Sequence, residues 1–349
     1  MFATTIHGAG DVRFEEVPDP VLITGTDAIV RVVASCVCGS DLWRYRGITA
    51  VTPGSRIGHE FVGIVESVGD RVGRIRVGDF VIAPFYDCDM TCVNCRNGYS
   101  PSCRERGSWG GRDHWGNAID GGQGELVRVP HADGTLVATP SQPAEELIPQ
   151  LLTLSDVFGT GHHAAAAAGV GPGSTVVVVG DGAVGLSAVL AAHRLGASRI
   201  ALMSRHPDRQ ALGRAFGATE IVAQRGDEGV AAVKELFDGV GADAALECVG
   251  TAEAMDQALH SARPGGQVGF VGVPAGGNAV PVRQLFGSNV GLRGGVAPVR
   301  NYIEALLPEV WSGALRPGAV FDLALPLSQV AEAYAAMDER RAIKVLLRP

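Results

Sequence analysis

The stretch Ser174-Thr175-Val176-Val177-Val178-Val179-Gly180-Asp181-Gly182-Ala183-Val184-Gly185-Leu186 decides how this chain folds. Residues 174–179 form an unbroken run, β-branched from Thr175 on, as suits a strand buried on both faces of a parallel sheet. It stops at a G-x-G-x-x-G spacing, and a helix is predicted over 186–195, ended by Gly196. Glycines so placed permit a tight turn, the close approach of a pyrophosphate and helix-on-strand packing. The helix N-terminus then faces the phosphates. In a chain holding 48 glycines the spacing recurs by chance. The strand before it and the helix after it are what make it a dinucleotide fingerprint.

The alternation continues downstream. Strands are predicted over 199–203, 220–222, 242–249, 266–273 and 290–295, and helices over 208–216, 229–237 and 252–262. That repetition means a doubly wound parallel sheet. Upstream, 160–169 reads as an alanine-rich helix ended by Gly169. The character before it is different. Runs such as 28–33 and 61–69 alternate between breaks at Gly25, Gly58, Gly78-Asp79 and Pro84, the pattern of a β-rich domain. The last stretch mixes helices (302–311, 327–338) with short strands (321–325, 344–347) and is expected to return to the first domain. The expected fold is α/β: a β-rich domain over 1–153, a doubly wound domain over 154–294, and a second part of the first domain over 295–349.

At 349 residues two domains are expected, and 46% hydrophobic with 19% charged residues suits well-packed ones. A net charge of −8 opposes a nucleic-acid or anionic-membrane surface. Met1-Phe2-Ala3-Thr4-Thr5-Ile6-His7 lacks the basic start and apolar run of a signal peptide, and no stretch reaches the length of a membrane span. A cytoplasmic protein is expected. Of seven cysteines, Cys88, Cys92, Cys95 and Cys103 fall in one short segment, which in a reducing compartment favours a metal over disulfides.

Two further motifs carry chemistry. Cys38-Gly39-Ser40-Asp41 and Gly58-His59-Glu60 offer a thiolate and an imidazole, the donors zinc prefers. Ser40 can present its hydroxyl to a metal-held oxygen; Asp41 and Glu60 can serve as supporting or exchangeable carboxylates. A metal that polarises a C–O bond and a cofactor that carries hydride together point to alcohol–carbonyl redox chemistry on a small-molecule substrate. The segment Ser204-Arg205-His206-Pro207-Asp208-Arg209 has no acid at the strand end, where an NAD site would carry one. Ser204, Arg205 and Arg209 suit a 2′-phosphate, which favours NADP(H) over NAD(H). The alternative is that both arginines are solvated and NAD binds.

On these motifs, with the cysteine segment 88–103, Leu154-Ser155-Asp156-Val157 and Cys248-Val249-Gly250, nearly the whole chain resembles the zinc-dependent medium-chain alcohol dehydrogenases. The resemblance implies a GroES-like catalytic domain beside the Rossmann domain. It implies catalytic zinc ligands Cys38, His59 and Asp156 in the interdomain cleft, with Glu60 able to swing in as a fourth and Asp41 orienting His59. Ser40 would pass the alcohol proton away. Many relatives continue that relay with a His where this chain has Trp43, so Trp43 is expected to shape the substrate pocket instead. Cys92-x2-Cys95-x7-Cys103 matches the family's structural-zinc lobe over 88–103; its first ligand is either Asp89 or Cys88. Thr160, Cys248, Val249, Val271, Gly272 and Val273 are expected around the nicotinamide, and Gly180, Gly182, Ala183, Val184, Gly185 and Lys344 at the pyrophosphate. Cys36 and Cys248 read as buried packing residues. Trp109, Trp115 and Phe286 join Trp43 as candidate pocket residues. A homodimer or homotetramer pairing through 290–295 is implied as well. A polyol, sugar or formaldehyde-type dehydrogenase is an alternative within the family. A non-catalytic NADP-binding scaffold is one outside the enzyme class, opposed by the complete ligand set. A zinc-ribbon nucleic-acid binder is opposed by the acidic charge.

Overall fold

The computed structural model describes residues 1–274 and 280–349. The chain begins with β1 (Phe2–Gly8), β2 (Asp11–Glu16), β3 (Ala28–Cys36), α1 (Asp41–Tyr45), β4 (Ser55–Arg56), β5 (Phe61–Val68) and β6 (Phe80–Ala83). It continues with α2 (Val93–Arg96), β7 (Leu126–Val129), α3 (Ala132–Thr135), β8 (Val137–Ala138) and α4 (Ile148–Leu152). The second unit holds α5 (Val157–Ala167), β9 (Thr175–Val179), α6 (Ala183–Arg194), β10 (Arg199–Met203), α7 (Pro207–Ala215), β11 (Glu220–Val222) and α8 (Gly226–Leu236). There follow β12 (Ala242–Glu247), α9 (Ala252–Ser261), β13 (Ala262–Phe270), α10 (Val282–Ser288) and β14 (Gly291–Gly294). The chain closes with α11 (Val299–Trp311), β15 (Leu323–Pro326), α12 (Val330–Asp338) and β16 (Val345–Arg348).

Two compact units result, Met1–Asp156 with Pro298–Pro349, and Val157–Ala297. The division falls three residues later at each crossing than 153/154 and 294/295. A 3₁₀ turn over Thr153–Ser155 prolongs α4, so Asp156 stays with the first unit.

The second unit is a six-stranded parallel sheet in the order β11-β10-β9-β12-β13-β14. In order of appearance these strands run 3-2-1-4-5-6, the doubly wound arrangement that places ligands at the carboxyl ends of the strands. Val176, Val177, Val178 and Val179 are fully buried, as their unbroken β-branched run requires. Around them Ala201, Met203, Val233, Phe237, Ala258 and Val268 close one core. The fingerprint helix begins at Ala183, three residues earlier than its apolar run suggests, because Gly182 is its N-cap.

The first unit carries two sheets. One is β2-β1-β4, antiparallel; the other runs β15-β16-β3-β5-β6-β8, with β7 also on β3. Phe61, Val65, Val81, Val127 and Trp109 fill one core. The C-terminal segment supplies much of the other, where Tyr334, Val345 and Leu347 pack with Ile6, Val37, Leu42 and Ile57. No helix among the described residues is long and apolar enough to cross a membrane.

Candidate active site

Strand β3 ends at Cys36, and the turn after it carries Cys38; α1 then starts at Asp41, which leaves Ser40 at its N-cap. His59 and Glu60 lie between β4 and β5, where Gly58 at φ +97 lets the chain turn hard against Gln123. Asp156 closes the turn after α4. These separate segments bring one donor atom each from Cys38, His59, Glu60 and Asp156 within 4.8 Å of one another. Cys38 Sγ is 3.8 Å and His59 Nε2 3.5 Å from Asp156 Oδ2. Ser40 Oγ is 3.5 Å from the same Nε2.

The supporting groups fix the ring. Asp41 Oδ1 lies 3.3 Å from His59 Nδ1, which leaves Nε2 to face the cluster. Asp41 Oδ2 accepts from the Cys38 amide (3.0 Å) and from Gln123 Nε2 (3.3 Å). Gln123 is held in turn by Cys36 O (3.1 Å) and by the Tyr334 hydroxyl, which donates to Oε1 (3.1 Å). Gln123 and Tyr334 went unnoticed in the sequence, since only the fold places them behind Asp41.

The residues fit a zinc ion, for two reasons. The donor set is sulfur, imidazole nitrogen and carboxylate oxygen. And Glu60 Oε2 is buried with no hydrogen-bond partner meeting the usual geometry. Electrostatics agree. Burial pushes the Cys38 thiol up, and it pushes the Glu60 carboxyl up despite Lys344 beside it. Burial works against charging His59, yet the Asp41 carboxylate and Cys38 outweigh it and hold the imidazole well above its usual range. The cluster is short of positive charge, which a divalent ion would supply.

Lys344 corrects an expectation. It is 1% exposed, its ammonium donating to Glu60 Oε1 at 2.7 Å and to Val37 O at 3.2 Å. A lysine so engaged is not available to a pyrophosphate; it holds Glu60. Removing one partner of a buried pair leaves an uncompensated charge, at a cost of roughly 3–5 kcal/mol. Lys344→Met is therefore expected to lower unfolding stability by about that much in urea, and adding Glu60→Gln should recover part of it. A loss below about 1 kcal/mol would show that Glu60 carries no charge needing a partner.

A second cluster able to hold a metal is Asp89, Cys92, Cys95 and Cys103, whose donor atoms also lie within 4.8 Å of one another. Asp89 Oδ1 accepts from Cys95 Sγ (3.3 Å) and Cys103 Sγ (3.2 Å), while Thr91 N and Cys92 N hold the same oxygen. Burial raises the Asp89 carboxyl, but the Thr91 hydroxyl donating to Oδ2 (2.7 Å), the Cys92 and Thr91 amides and the Cys103 thiol outweigh it and bring the carboxyl down. Burial first, and then hydrogen bonding from the neighbouring groups, sets the Cys103 thiol at about 11. Cys88, the alternative first ligand, faces away: it is fully buried with Sγ 3.8 Å from Gly134 O. The fold thus groups Asp89, and not Cys88, with the three thiols.

In the second unit Gly180 has φ +116, and a Cβ on Gly185 would stand 2.0 Å from Gly180 O, so neither position admits a side chain. A Cβ on Gly182 would meet nothing within 4 Å, and no side chain caps α6. The N-terminus of a twelve-residue helix is thus uncapped, with open space at Gly182, as a pyrophosphate requires. Cys248 N donates to Val179 O, and Val271 N and Gly272 N to Glu247 O. The carboxyl ends of β9, β12 and β13 therefore bring Gly180, Cys248, Val249, Val271, Gly272 and Val273 to one edge. Glu247, which sequence pattern alone does not single out, caps this turn: Oε1 accepts from Val249 N (2.8 Å) and Gly250 N (2.7 Å). A lone acid ending a buried strand was the available signal. Cys248 is partly exposed rather than fully buried, whereas Cys36 is buried. Thr160 is buried in α5.

The strand end of β10 is not bare of carboxylate. Asp181 Oδ2 accepts from Ser204 Oγ at 2.7 Å, and Arg209 lies 3.4 Å from Oδ1. The premise that no acid stands there is corrected: the fold delivers one from inside the fingerprint. Arg209 is engaged by it, and Arg205 alone is exposed.

Three aromatic candidates are corrected too. Trp109 is core, edge-on to Phe61 at 5.2 Å with its indole N–H on Pro84 O. Trp115 packs against His131 at 5.1 Å, and Phe286 is 85% exposed on α10. Trp43 is half-buried in α1, three residues after Ser40.

Comparison with known proteins finds relatives of both units. Residues 24–141 match the alcohol dehydrogenase GroES-like domain and residues 183–312 the zinc-binding dehydrogenase domain. Zinc-type alcohol dehydrogenase B of Aspergillus flavus is 34% identical over 100% of this chain and 81% of its own length. The glutathione-independent formaldehyde dehydrogenase of Bacillus subtilis is 35% identical over 71% of this chain and 66% of its own. The structure of alcohol dehydrogenase TADH from Thermus sp. ATN1 superposes with a TM-score of 0.91 at 35% identity, covering 100% of this chain and 99% of that one. A GroES-like unit followed by a doubly wound unit is matched along the whole length of this chain by such enzymes, and the chain belongs to the zinc-dependent medium-chain alcohol dehydrogenase family.

Proposed function

We propose that this protein interconverts small primary or secondary alcohols with aldehydes or ketones. The observation that carries the reading is the convergence of Cys38, His59, Glu60 and Asp156 beside the Ser40 hydroxyl. When bound, zinc supplies Lewis-acid polarisation of the substrate oxygen and the nicotinamide exchanges hydride with the substrate carbon. Cys38, His59 and Asp156 would hold the ion. Glu60, with Oε1 fixed by Lys344, keeps Oε2 in reserve for it. Asp41 keeps His59 in the tautomer that presents Nε2. Ser40 accepts the substrate's hydroxyl proton while donating its own onward, as a hydroxyl can. Trp43 offers no imidazole for a further step, so the proton leaves from Ser40 to water.

Asp89, Cys92, Cys95 and Cys103 would hold a second, structural zinc with four protein ligands and no open position. The edge strand β14, with Val282 and Phe286 exposed on the preceding α10, supports pairing of copies through residues 290–295 as a homodimer or a dimer of dimers. Seven unpaired thiols support a reducing compartment such as the cytoplasm. For the cofactor, Arg205 remains the support for NADP(H), while Asp181 weighs against it.

A formaldehyde-type activity is the second reading, favoured by the 35% identity to a formaldehyde dehydrogenase. A screen of alcohols, carbonyls and formaldehyde against NAD(H) and NADP(H), followed by nicotinamide absorbance, tests both. Turnover of alcohols or ketones is expected. Turnover of formaldehyde alone would favour the second reading, and no turnover of any by zinc-loaded protein would favour a binding protein that kept the fold.

A further inference from the structure

Asp181 occupies the first variable position of the glycine fingerprint, where the backbone matters and the side chain has no assigned task. Its surroundings give it one. Strands β9 and β10 are parallel neighbours with Val179 paired to Met203, so the residues just past each end, Gly180-Asp181 and Ser204-Arg205, lie side by side. The Asp181 carboxylate is consequently 2.7 Å from the Ser204 hydroxyl and only 8% exposed. In a doubly wound fold the acid that grips the adenosine ribose stands at the end of the second strand, about 20 residues after the glycines. Ser204 is at that place here, fully buried, and its hydroxyl points back at Asp181.

We infer that Asp181 takes over the ribose-binding role from the neighbouring strand and makes the protein prefer NAD(H) to NADP(H). The inference rests on the dehydrogenase reading of the second unit. A free 2′-hydroxyl would donate to the carboxylate, a charge-assisted bond. A 2′-phosphate, carrying nearly two negative charges, would confront a buried anion. It would also have to draw Arg209 from Asp181, whose Oδ1 lies 3.4 Å and main-chain O 3.3 Å from that guanidinium. Ser204 has no spare donor for a phosphate, since its proton is given to Asp181 while its oxygen accepts from His206 N. Arg205 is exposed, where water and salt screen its attraction.

The test is the dissociation constants of NADH and NADPH, from nicotinamide fluorescence without substrate. It uses zinc-loaded wild type, Asp181→Ser and Arg209→Ala, each checked for a cooperative melt. Wild type is expected to bind NADH more tightly. In Asp181→Ser the NADH affinity should fall roughly 10- to 100-fold, the worth of one charge-assisted bond, while NADPH holds or improves as Arg209 is released. Arg209→Ala leaves Asp181 uncompensated and should widen the preference for NADH, a result that stands even if the Asp181 variant does not fold. NADPH bound as tightly as NADH by wild type, or an unchanged ratio in both variants, would overturn the inference. Binding of neither by folded wild type would remove the dehydrogenase reading itself, and this inference with it.

Discussion

His59→Ala and Cys38→Ser are each expected to abolish alcohol oxidation while leaving a folded protein. Both positions supply donors to an open cluster of Cys38, His59, Glu60 and Asp156, with Glu60 Oε2 in reserve. Altering residues that merely support a metal ligand already costs about 10–100-fold in metal affinity or activity. Loss of a ligand itself should exceed that, so turnover should fall by more than about 100-fold. Zinc bound per chain should drop by about one equivalent. The fold should survive, because His59 and Cys38 lie on turns rather than in the strands that form the core. The checks are initial rate, zinc content and a thermal melt on the same samples. Wild-type turnover in either variant after dialysis against chelator would be incompatible with the assignment.

Cys95→Ser should act in the opposite way, on stability rather than chemistry. The segment around Asp89, Cys92, Cys95 and Cys103 has little regular structure of its own, only the single turn of α2 and a 3₁₀ turn over Ser100–Ser102. What gathers it is the four-donor cluster, with Asp89 Oδ1 already touching two of the thiols. In zinc-finger peptides such a site contributes about 10–16 kcal/mol of folding free energy, so its loss here should cost several kcal/mol locally. The expected result is a clearly lower melting temperature, faster proteolysis within 88–103 and one zinc fewer than the wild type's near two. Activity per folded, catalytic-zinc-loaded chain should change far less. Native protein holding only one zinc, with an unaltered melt in the variant, would mean that this cluster binds no metal.

How much could be read before folding follows from the range of each interaction. The run Thr175 to Val179 and the glycines after it announce strand, turn and helix through near-neighbour sterics alone, so the doubly wound unit was readable almost element by element. Cys38, His59 and the thiols of the lobe were readable because residue type restricts their chemistry. What failed were assignments that depend on which groups meet through space. Lys344 looks like any basic residue beside a strand; only the pairing of β16 with β3 brings it onto Glu60. The sequence of the second strand shows no carboxylate beside Ser204, but parallel pairing of β9 with β10 supplies one from Asp181. Asp89 and Cys88 are adjacent in sequence, yet the fold groups only Asp89 with the three thiols. Trp109 and Phe286 have the same aromatic character, yet one is buried and the other 85% exposed.

The most direct measurement of the central claim is alcohol-dependent reduction of the oxidised nicotinamide cofactor by one preparation, before metal removal, after it and after zinc is restored. Mild chelation should draw on the open cluster of Cys38, His59 and Asp156 before the closed one of the lobe, since an open position admits the chelator. Activity should disappear with the loss of about one zinc per chain and return when zinc alone is added. Undiminished activity in protein shown to be free of metal would contradict the account.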